Sequence, residues 1–252
     1  MTYCIGLQLD RGLVFLSDTR TNAGVDNIST FRKLFTWEVP GERAMVLMTA
    51  GNLATTQAVV SLLDERNLAP SERNPSLLTV PSMFQAARLV GDTLREVIGD
   101  RFDENKPGAT TFNATMILGG QVAGSPPRLY MIYSAGNFIE AQTDTPFFQI
   151  GETKYGRPIL VRAYDPDMSF ERAVKLLMVS FDSTIRANLS VGTPLDLQVL
   201  ETGAMRLGPA RRIEDTDPDW RAVSDGWAGA LRAAFDSLPD PALPPDGTAA
   251  TA

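Results

Sequence analysis

The chain opens Met1-Thr2-Tyr3-Cys4-Ile5-Gly6, passes through Ser17-Asp18-Thr19-Arg20 and reaches Phe31-Arg32-Lys33-Leu34. Tyr3 to Leu9 reads as a strand, Arg11-Gly12 as a tight turn and residues 13–17 as a second strand. Such a hairpin returns the chain on itself, so Asp18 is expected beside Thr2. Residues 18–24 then leave the strand as a polar loop. Residues 28–39 form a third extended run with Lys33 in its middle. An ammonium among apolar strand residues needs a carboxylate to offset its burial, and Asp18 is the candidate.

A threonine directly after the initiator methionine has a chemical reading. Methionine is generally trimmed before a small residue, which would leave Thr2 with a hydroxyl and a free α-amine on one residue. That pairing is a nucleophile with its own base. The reference pKa of an α-amine is about 7.7–8.0, so the amine is partly neutral near pH 7. Lys33 nearby disfavours its protonation, while Asp18 holds Lys33 and balances its charge. Taken singly, Thr2 reads as an ordinary second residue and Lys33–Asp18 as a structural ion pair; the spacing of all three favours catalysis.

Composition narrows the alternatives. The 252 residues carry 23 basic and 30 acidic side chains, a net charge of −7, and 44% are hydrophobic, enough for a substantial core. No basic block stands out, which argues against a nucleic-acid partner. The chain has no histidine, so a Ser-His-Asp or Cys-His site is excluded, as is a zinc site that uses histidine. Nothing points to a cofactor or a metal. Cys4, the single cysteine, sits in the first predicted strand and reads as a small buried apolar residue; with no disulfide possible within the chain, a reducing cytoplasm is the expected location. No signal-peptide pattern and no apolar run of about 18 residues is visible, so no membrane span is expected.

Further along, residues 45–49 read as a strand that ends at Ala50-Gly51-Asn52, and residues 53–67 as a helix with Val59, Leu62 and Leu63 on one stripe. Residues 69–80 form a loop punctuated by Pro70 and Pro75. Ser82 caps a second helix over 83–101, where Phe84, Ala87, Leu89, Val90, Leu94, Val97 and Ile98 keep helical spacing. A polar turn at 103–109 precedes strands at 111–119, 129–134, 138–142 and 147–150. Residues 154–163 read as a third helix, with Pro158 in its first turns. Ser169 caps a fourth, Phe170–Ala187, whose Val174, Leu177, Met178, Phe181 and Ile185 form one face. A clean strand covers 195–201, with one more expected within 205–213. Residues 217–238 read as an amphipathic helix carrying Trp220 and Trp227, and 239–252 as a disordered tail rich in Pro, Ala and Asp. Strands, two helices, strands, two helices, strands: this order predicts an α+β fold of two packed antiparallel sheets covered by helices, in one domain over residues 2–238.

Threonine at the mature N-terminus, Ser17-Asp18-Thr19-Arg20 with Gly24 four positions on, and Lys33 between apolar residues together resemble the proteasome β-type N-terminal nucleophile hydrolases. Met48-Thr49-Ala50-Gly51-Asn52, followed by Thr56-Gln57-Ala58, is similar to that family's oxyanion loop and first helix. Met1-Thr2-Tyr3-Cys4 and Ile150-Gly151-Glu152-Thr153-Lys154-Tyr155-Gly156 resemble most the bacterial Anbu, or ancestral β-subunit, branch. The resemblance spans about residues 2–210. It implies the four-layer αββα sandwich, Thr2, Asp18 and Lys33 as the catalytic set, and the Gly51 N–H as oxyanion donor. It also implies a peptide or unfolded-protein substrate bound as an added strand along the backbone near Asn22 and Gly51, with Phe31, Thr49 and Leu53 around the first pocket. Phe31 and Leu53 read equally well as core packing. A homo-oligomeric ring or ring-like stack is further implied. Any ATPase partner must be a separate protein, since no ATP-binding loop is present.

Two departures from the family pattern stand out. Glu152 occupies a position where proteasome subunits carry serine. There it can raise the pKa of the amine, bind a substrate amine or pair with Lys33. After the fourth helix, where eukaryotic-type subunits have Arg-Asp-x-x-Ser, this chain has Arg186-Ala187-Asn188-Leu189-Ser190. Ala187 replaces the aspartate, Asn188 resembles the bacterial ATP-dependent peptidase branch, and Ser190 fits. Asn188 and Ser190 thus join Glu152 as possible catalytic or substrate contacts. Three functional readings follow: a threonine peptidase in an assembled particle, an amidohydrolase of small amides, and a weakly active or inactive assembly subunit.

Overall fold

A computed structural model describes residues 2–22, 28–68, 75–99 and 112–242. Met1, Gly24, the first half of the loop at 69–80, the turn at 103–109 and most of the tail lie outside the described residues. The chain begins with β1 (Tyr3–Leu9), β2 (Gly12–Asp18), β3 (Arg20–Asn22), β4 (Ile28–Thr30), β5 (Leu34–Val39) and β6 (Arg43–Gly51). Two helices follow, α1 (Leu53–Leu68) and α2 (Met83–Gly99). Next come β7 (Ala114–Val122), β8 (Arg128–Ile132), β9 (Phe138–Glu140) and β10 (Phe147–Gly151). The remainder is α3 (Arg157–Ala163), α4 (Phe170–Ala187), β11 (Leu195–Glu201), β12 (Arg211–Ile213) and α5 (Pro218–Asp236).

The continuous apolar runs of β1, β2 and β6 are explained by burial on both faces. Successive strand side chains point to opposite faces. From β1, Tyr3, Ile5 and Leu7 join one core while Cys4 joins another; from β2, Val14 and Leu16 part from Leu13 and Phe15 in the same way. In β6, Met45 and Leu47 face one side, and Ala44, Val46, Met48 and Ala50 the other. Three cores result. One lies between the sheets, around Phe15, Met48, Ile117 and Phe148. A second lies between α1, α2 and the β5–β9 sheet, and a third packs α3, α4 and α5 on the remaining sheet. Helix, sheet, sheet, helix is the four-layer αββα sandwich.

Both five-stranded sheets are antiparallel, in the orders β10-β1-β2-β11-β12 and β5-β6-β7-β8-β9. The helices start where the caps predict. Ser82 Oγ accepts from Gln85 N–H at the start of α2, and Ser169 Oγ from Arg172 N–H at the start of α4; such a cap contributes about 1 kcal/mol. The predicted face of α4 is the buried one: Leu177, Met178 and Phe181 are enclosed, with Val174 and Ile185 at its margin. Each fully buried side chain of that size stabilises the fold by about 1.5–3 kcal/mol.

Five expectations are corrected. The polar loop after Asp18 contains a strand, β3, which pairs with β4 from Arg20↔Thr30 to Asn22↔Ile28. The single run over 28–39 is therefore two strands, broken at Phe31-Arg32-Lys33. Backbone pairing, which polar side chains do not prevent, overrides the weak propensity of Arg-Thr-Asn. Within 205–213 only β12 is a strand. On α2, Phe84 keeps helical spacing yet is 52% exposed, resting on the edge of Phe138. The C-terminal helix divides in two: Trp220 is 5% exposed and belongs to the core, whereas Leu231 and Phe235 are 49% and 75% exposed. Among the described residues, no helix is long and apolar enough to cross a membrane.

Candidate active site

Antiparallel pairing gathers four chain positions at one end of the sandwich. Thr2 precedes β1, Asp18 ends β2, Lys33 precedes β5 and Gly51 ends β6. Asp18 and Lys33 meet as expected. The Lys33 ammonium donates to Asp18 Oδ1 at 2.7 Å and to the Arg20 carbonyl at 2.5 Å, and the Tyr3 N–H donates to the same Asp18 oxygen at 3.0 Å. The Lys33 carbonyl in turn accepts from Thr49 N–H at 3.0 Å, so the lysine is fixed at both ends. The Tyr3 amide ties this ion pair to the residue next to Thr2.

Both charged side chains are almost wholly buried, Asp18 at 0% and Lys33 at 4% exposure. Burial pushes the Asp18 carboxyl up to about 6; the Lys33 charge, its hydrogen bond and the Tyr3 amide offset only part of that. Asp18 Oδ2, enclosed, accepts no hydrogen bond from the described residues. Next to the pair, burial lifts the Cys4 thiol well above its ordinary value, Asp18 adding to the effect. Its Sγ lies 3.8 Å from the Thr49 carbonyl oxygen. Cys4 is thus the small buried side chain the sequence implied.

Two glycines are required here. Gly151 (φ +86°) packs so closely on Thr2 that a Cβ would stand 1.9 Å from the Thr2 carbonyl oxygen. The following Glu152 N–H donates to that same carbonyl at 2.7 Å, closing β10 over the nucleophile candidate. Gly51 (φ +117°) lies against β7, where a Cβ would sit 2.4 Å from the Asn113 carbonyl oxygen. Strand alternation aims the Gly51 N–H to the same edge as the Thr49 N–H, past the start of β5 and toward the cavity.

That cavity measures about 510 Å³ and has Thr2, Lys33, Gly51 and Gly151 in its wall. Thr49 and Leu53 line it as the family resemblance implied; Phe31 does not, and Phe35 on β5 takes that place. The Phe31 N–H instead donates to the Thr19 carbonyl, holding the break between β4 and β5. Asn22 pairs through its backbone with Ile28, and it is its neighbour Thr21 that reaches the cavity. Arg32, Ala50, Thr56 and Gln57 also line it; the sequence marked Thr56 and Gln57 only as part of a family motif, not as wall residues. Thr56 and Gln57 stand one turn into α1 from Leu53, a helical spacing that points to them once Leu53 is placed.

Glu152, Asn188 and Ser190 form one linked set. The Asn188 side-chain amide donates to Glu152 Oε2 at 3.0 Å, its oxygen accepts from Ser190 N–H at 3.0 Å, and Lys154 N–H approaches Glu152 Oε1 at 3.4 Å. The Lys33 ion pair is with Asp18, so of the three readings of Glu152 the pairing with Lys33 is not realised. Among the described residues no group of His, Cys, Asp and Glu is arranged to hold a metal ion.

The family model described as proteasome subunit matches residues 2–200. Solved structures agree over nearly the whole chain. Anbu (ancestral beta-subunit) from Yersinia bercovieri is 46% identical, with a TM-score of 0.89 over 96% of this chain and 100% of that one. Anbu from Hyphomicrobium sp. strain MC1 is 48% identical, with a TM-score of 0.88 and the same coverage. A structure described as the helical assembly of the Anbu complex from Pseudomonas aeruginosa is 47% identical, with a TM-score of 0.88 over 95% of this chain and 98% of that one. A search of curated proteins finds no match. With the αββα sandwich, the family match over most of the chain and near half identity to three Anbu structures, the chain belongs to the proteasome family as a β-type subunit of the Anbu branch.

Proposed function

We propose that the chain is a threonine peptidase subunit, with Thr2 as nucleophile, that works in a self-assembled particle. The observation that carries this reading is the buried Lys33–Asp18 pair hydrogen-bonded to the Tyr3 amide, one residue from Thr2. Once Met1 is removed, the Thr2 amine takes the hydroxyl proton as Oγ1 attacks the scissile carbonyl carbon. The carbonyl π electrons move to oxygen, and the Gly51 N–H stabilises the resulting oxyanion. The intermediate collapses, the C–N bond breaks, and the ammonium returns its proton to the leaving amine. Water, deprotonated by the same amine, then hydrolyses the acyl ester and restores Thr2. Lys33 keeps the amine neutral by proximity of charge, and Asp18 holds Lys33. Glu152, restrained by Asn188, bears on the same amine with opposite sign.

An assembled particle is supported by the helical assembly described for the Pseudomonas aeruginosa relative and by the exposed Leu231 and Phe235 on α5. In this reading residues 2–238 act as one domain in the cytoplasm, and any ATP-driven unfoldase is a separate chain. The test is turnover of unstructured peptides by protein whose Met1 loss is verified by intact mass, with light scattering on the same sample. Hydrolysis that Thr2→Ala abolishes, in a particle much heavier than the 27.4 kDa chain, is the expected result. Turnover of small amides but not peptides by a monomer would favour the amidohydrolase reading. Peptide turnover that survives Thr2→Ala would overturn both.

A further inference from the structure

Among the described residues, the cavity beside Thr2 has two cationic side chains in its wall and no carboxylate. The side chains of Thr21, Thr49, Thr56 and Gln57 and the apolar Phe35, Ala50 and Leu53 contribute no charge. One of the cations, Lys33, is committed: its ammonium is held by Asp18 and by the Arg20 carbonyl. The other, Arg32, is exposed and has neither an ion pair nor a hydrogen bond among the described residues. This separates it from Arg20, Arg43 and Arg66. Arg20 donates to the Leu189 carbonyl, Arg43 is bonded to Glu42 and to two carbonyls, and Arg66 pairs with Glu96. Of the lining side chains that could share a ligand with it, Thr56 spends its hydroxyl proton on the Leu53 carbonyl, while Gln57 is exposed and offers an amide.

A guanidinium with no carboxylate beside it among the described residues raises the local potential of the cavity, and its planar fork matches a carboxylate in two parallel hydrogen bonds. Its position is set by the backbone. The break between β4 and β5 places Arg32 directly before Lys33, so the residue that anchors the catalytic pair also fixes where the guanidinium starts. We propose that Arg32 makes this cavity selective for a substrate whose side chain next to the attacked carbonyl carries a carboxylate, glutamyl or aspartyl in kind. The proposal rests on the reading of Thr2 as nucleophile only for where the attacked bond lies; the selectivity itself belongs to the cavity. It also predicts what the cavity rejects. A lysyl side chain would bring an ammonium against Arg32, with no carboxylate among the described residues of the wall to receive it.

The test uses N-acetylated tripeptide amides identical except for a C-terminal Glu, Gln, Leu or Lys. Their binding to the full chain is measured by titration calorimetry, and cleavage of the matching fluorogenic amides is followed in parallel. Binding of Glu over Gln by about tenfold to a hundredfold is expected, the range for one charge-assisted hydrogen-bonded pair. Arg32→Gln should erase that preference without weakening the Leu peptide, and Arg32→Glu should reverse it toward Lys. Equal affinities for Glu and Gln in the parent protein, or a preference that survives Arg32→Gln, would overturn the proposal. Because calorimetry reads binding without turnover, a protein that binds the Glu peptide selectively but cleaves nothing would count against the peptidase reading and not against Arg32. Cleavage with no acidic preference would do the opposite.

Discussion

Two aspartate ion pairs in this molecule use the same chemistry to opposite effect. At the start of α5, Asp217 caps the helix by accepting from the Asp219 and Trp220 amides and pairs with Arg211 through both oxygens. At the end of β2, Asp18 pairs with Lys33 through one oxygen, and the other accepts no hydrogen bond from the described residues. Burial works upward on both carboxyls. For Asp217, near the surface, Arg211 and the two amides outweigh it and hold the pKa below the ordinary carboxylate range. For Asp18, fully enclosed, burial wins and carries the pKa to about 6. A pair selected only to stabilise a helix end settles its anion well. The pair near Thr2 does not, and enclosed groups with displaced pKa values concentrate where chemistry is done.

The comparison breaks first at Lys33. Lys33→Ala should lower turnover by at least about a thousandfold, because Lys33 is the cation held by the buried Asp18 beside the Tyr3 amide, whereas the other cation of the cavity wall, Arg32, is exposed. It should also destabilise the fold by about 3–5 kcal/mol near neutral pH, the range for removing one partner of a buried pair. Denaturant unfolding and peptide turnover check the two effects; a small change in both would mean that the pair is neither catalytic nor structural.

Acid titration sharpens the contrast. The raised pKa of Asp18 contributes stability that is present below the unfolded value near 3.9 and is lost as pH rises through about 6. A displacement of that size corresponds to about 3 kcal/mol. Asp217 has the opposite sign: its contribution is present above the unfolded value and is lost as pH falls through its lowered pKa. Carbon-13 NMR of the carboxylates should therefore find Asp18 titrating near 6 and Asp217 below the ordinary range. Turnover should fall below pH 6 as Asp18 takes its proton and Lys33 loses its counter-charge. An Asp18 midpoint at or below 4 would remove the distinction between the two pairs.

The smallest effect belongs to Arg211. Its side chain is 41% exposed and solvent screens the pair, so Arg211→Ala should cost about 0.2–1 kcal/mol and leave turnover unchanged.

Much of this was legible in the sequence. Continuous apolar runs marked β1, β2 and β6, and Ser82 and Ser169 marked the starts of α2 and α4. The convergence of Asp18 and Lys33 followed from a hairpin and a buried charge in need of a partner. What escaped depends on contacts between distant segments. Nothing in Arg20-Thr21-Asn22 signals a strand until Ile28–Thr30 pairs with it. The exchange of Phe31 for Phe35 in the cavity wall follows from the break at Phe31-Arg32-Lys33, which a continuous strand would not have. The need for glycine at 51 comes from the carbonyl of Asn113, just before β7 and some 60 residues away in sequence. The Glu152–Asn188 bond joins a loop to a helix end, and neither residue announces the other.

The central claim is that Thr2, freed of Met1, is the nucleophile. The most direct measurement is mass spectrometry of the intact chain and its N-terminal fragment after incubation with a peptide epoxyketone, which captures a threonine hydroxyl and its own α-amine together. The account predicts loss of Met1 and one adduct per chain, confined to Thr2, formed more slowly below pH 6 and absent in Lys33→Ala. A fully active protein that retains Met1, or an adduct on any other residue, would contradict it.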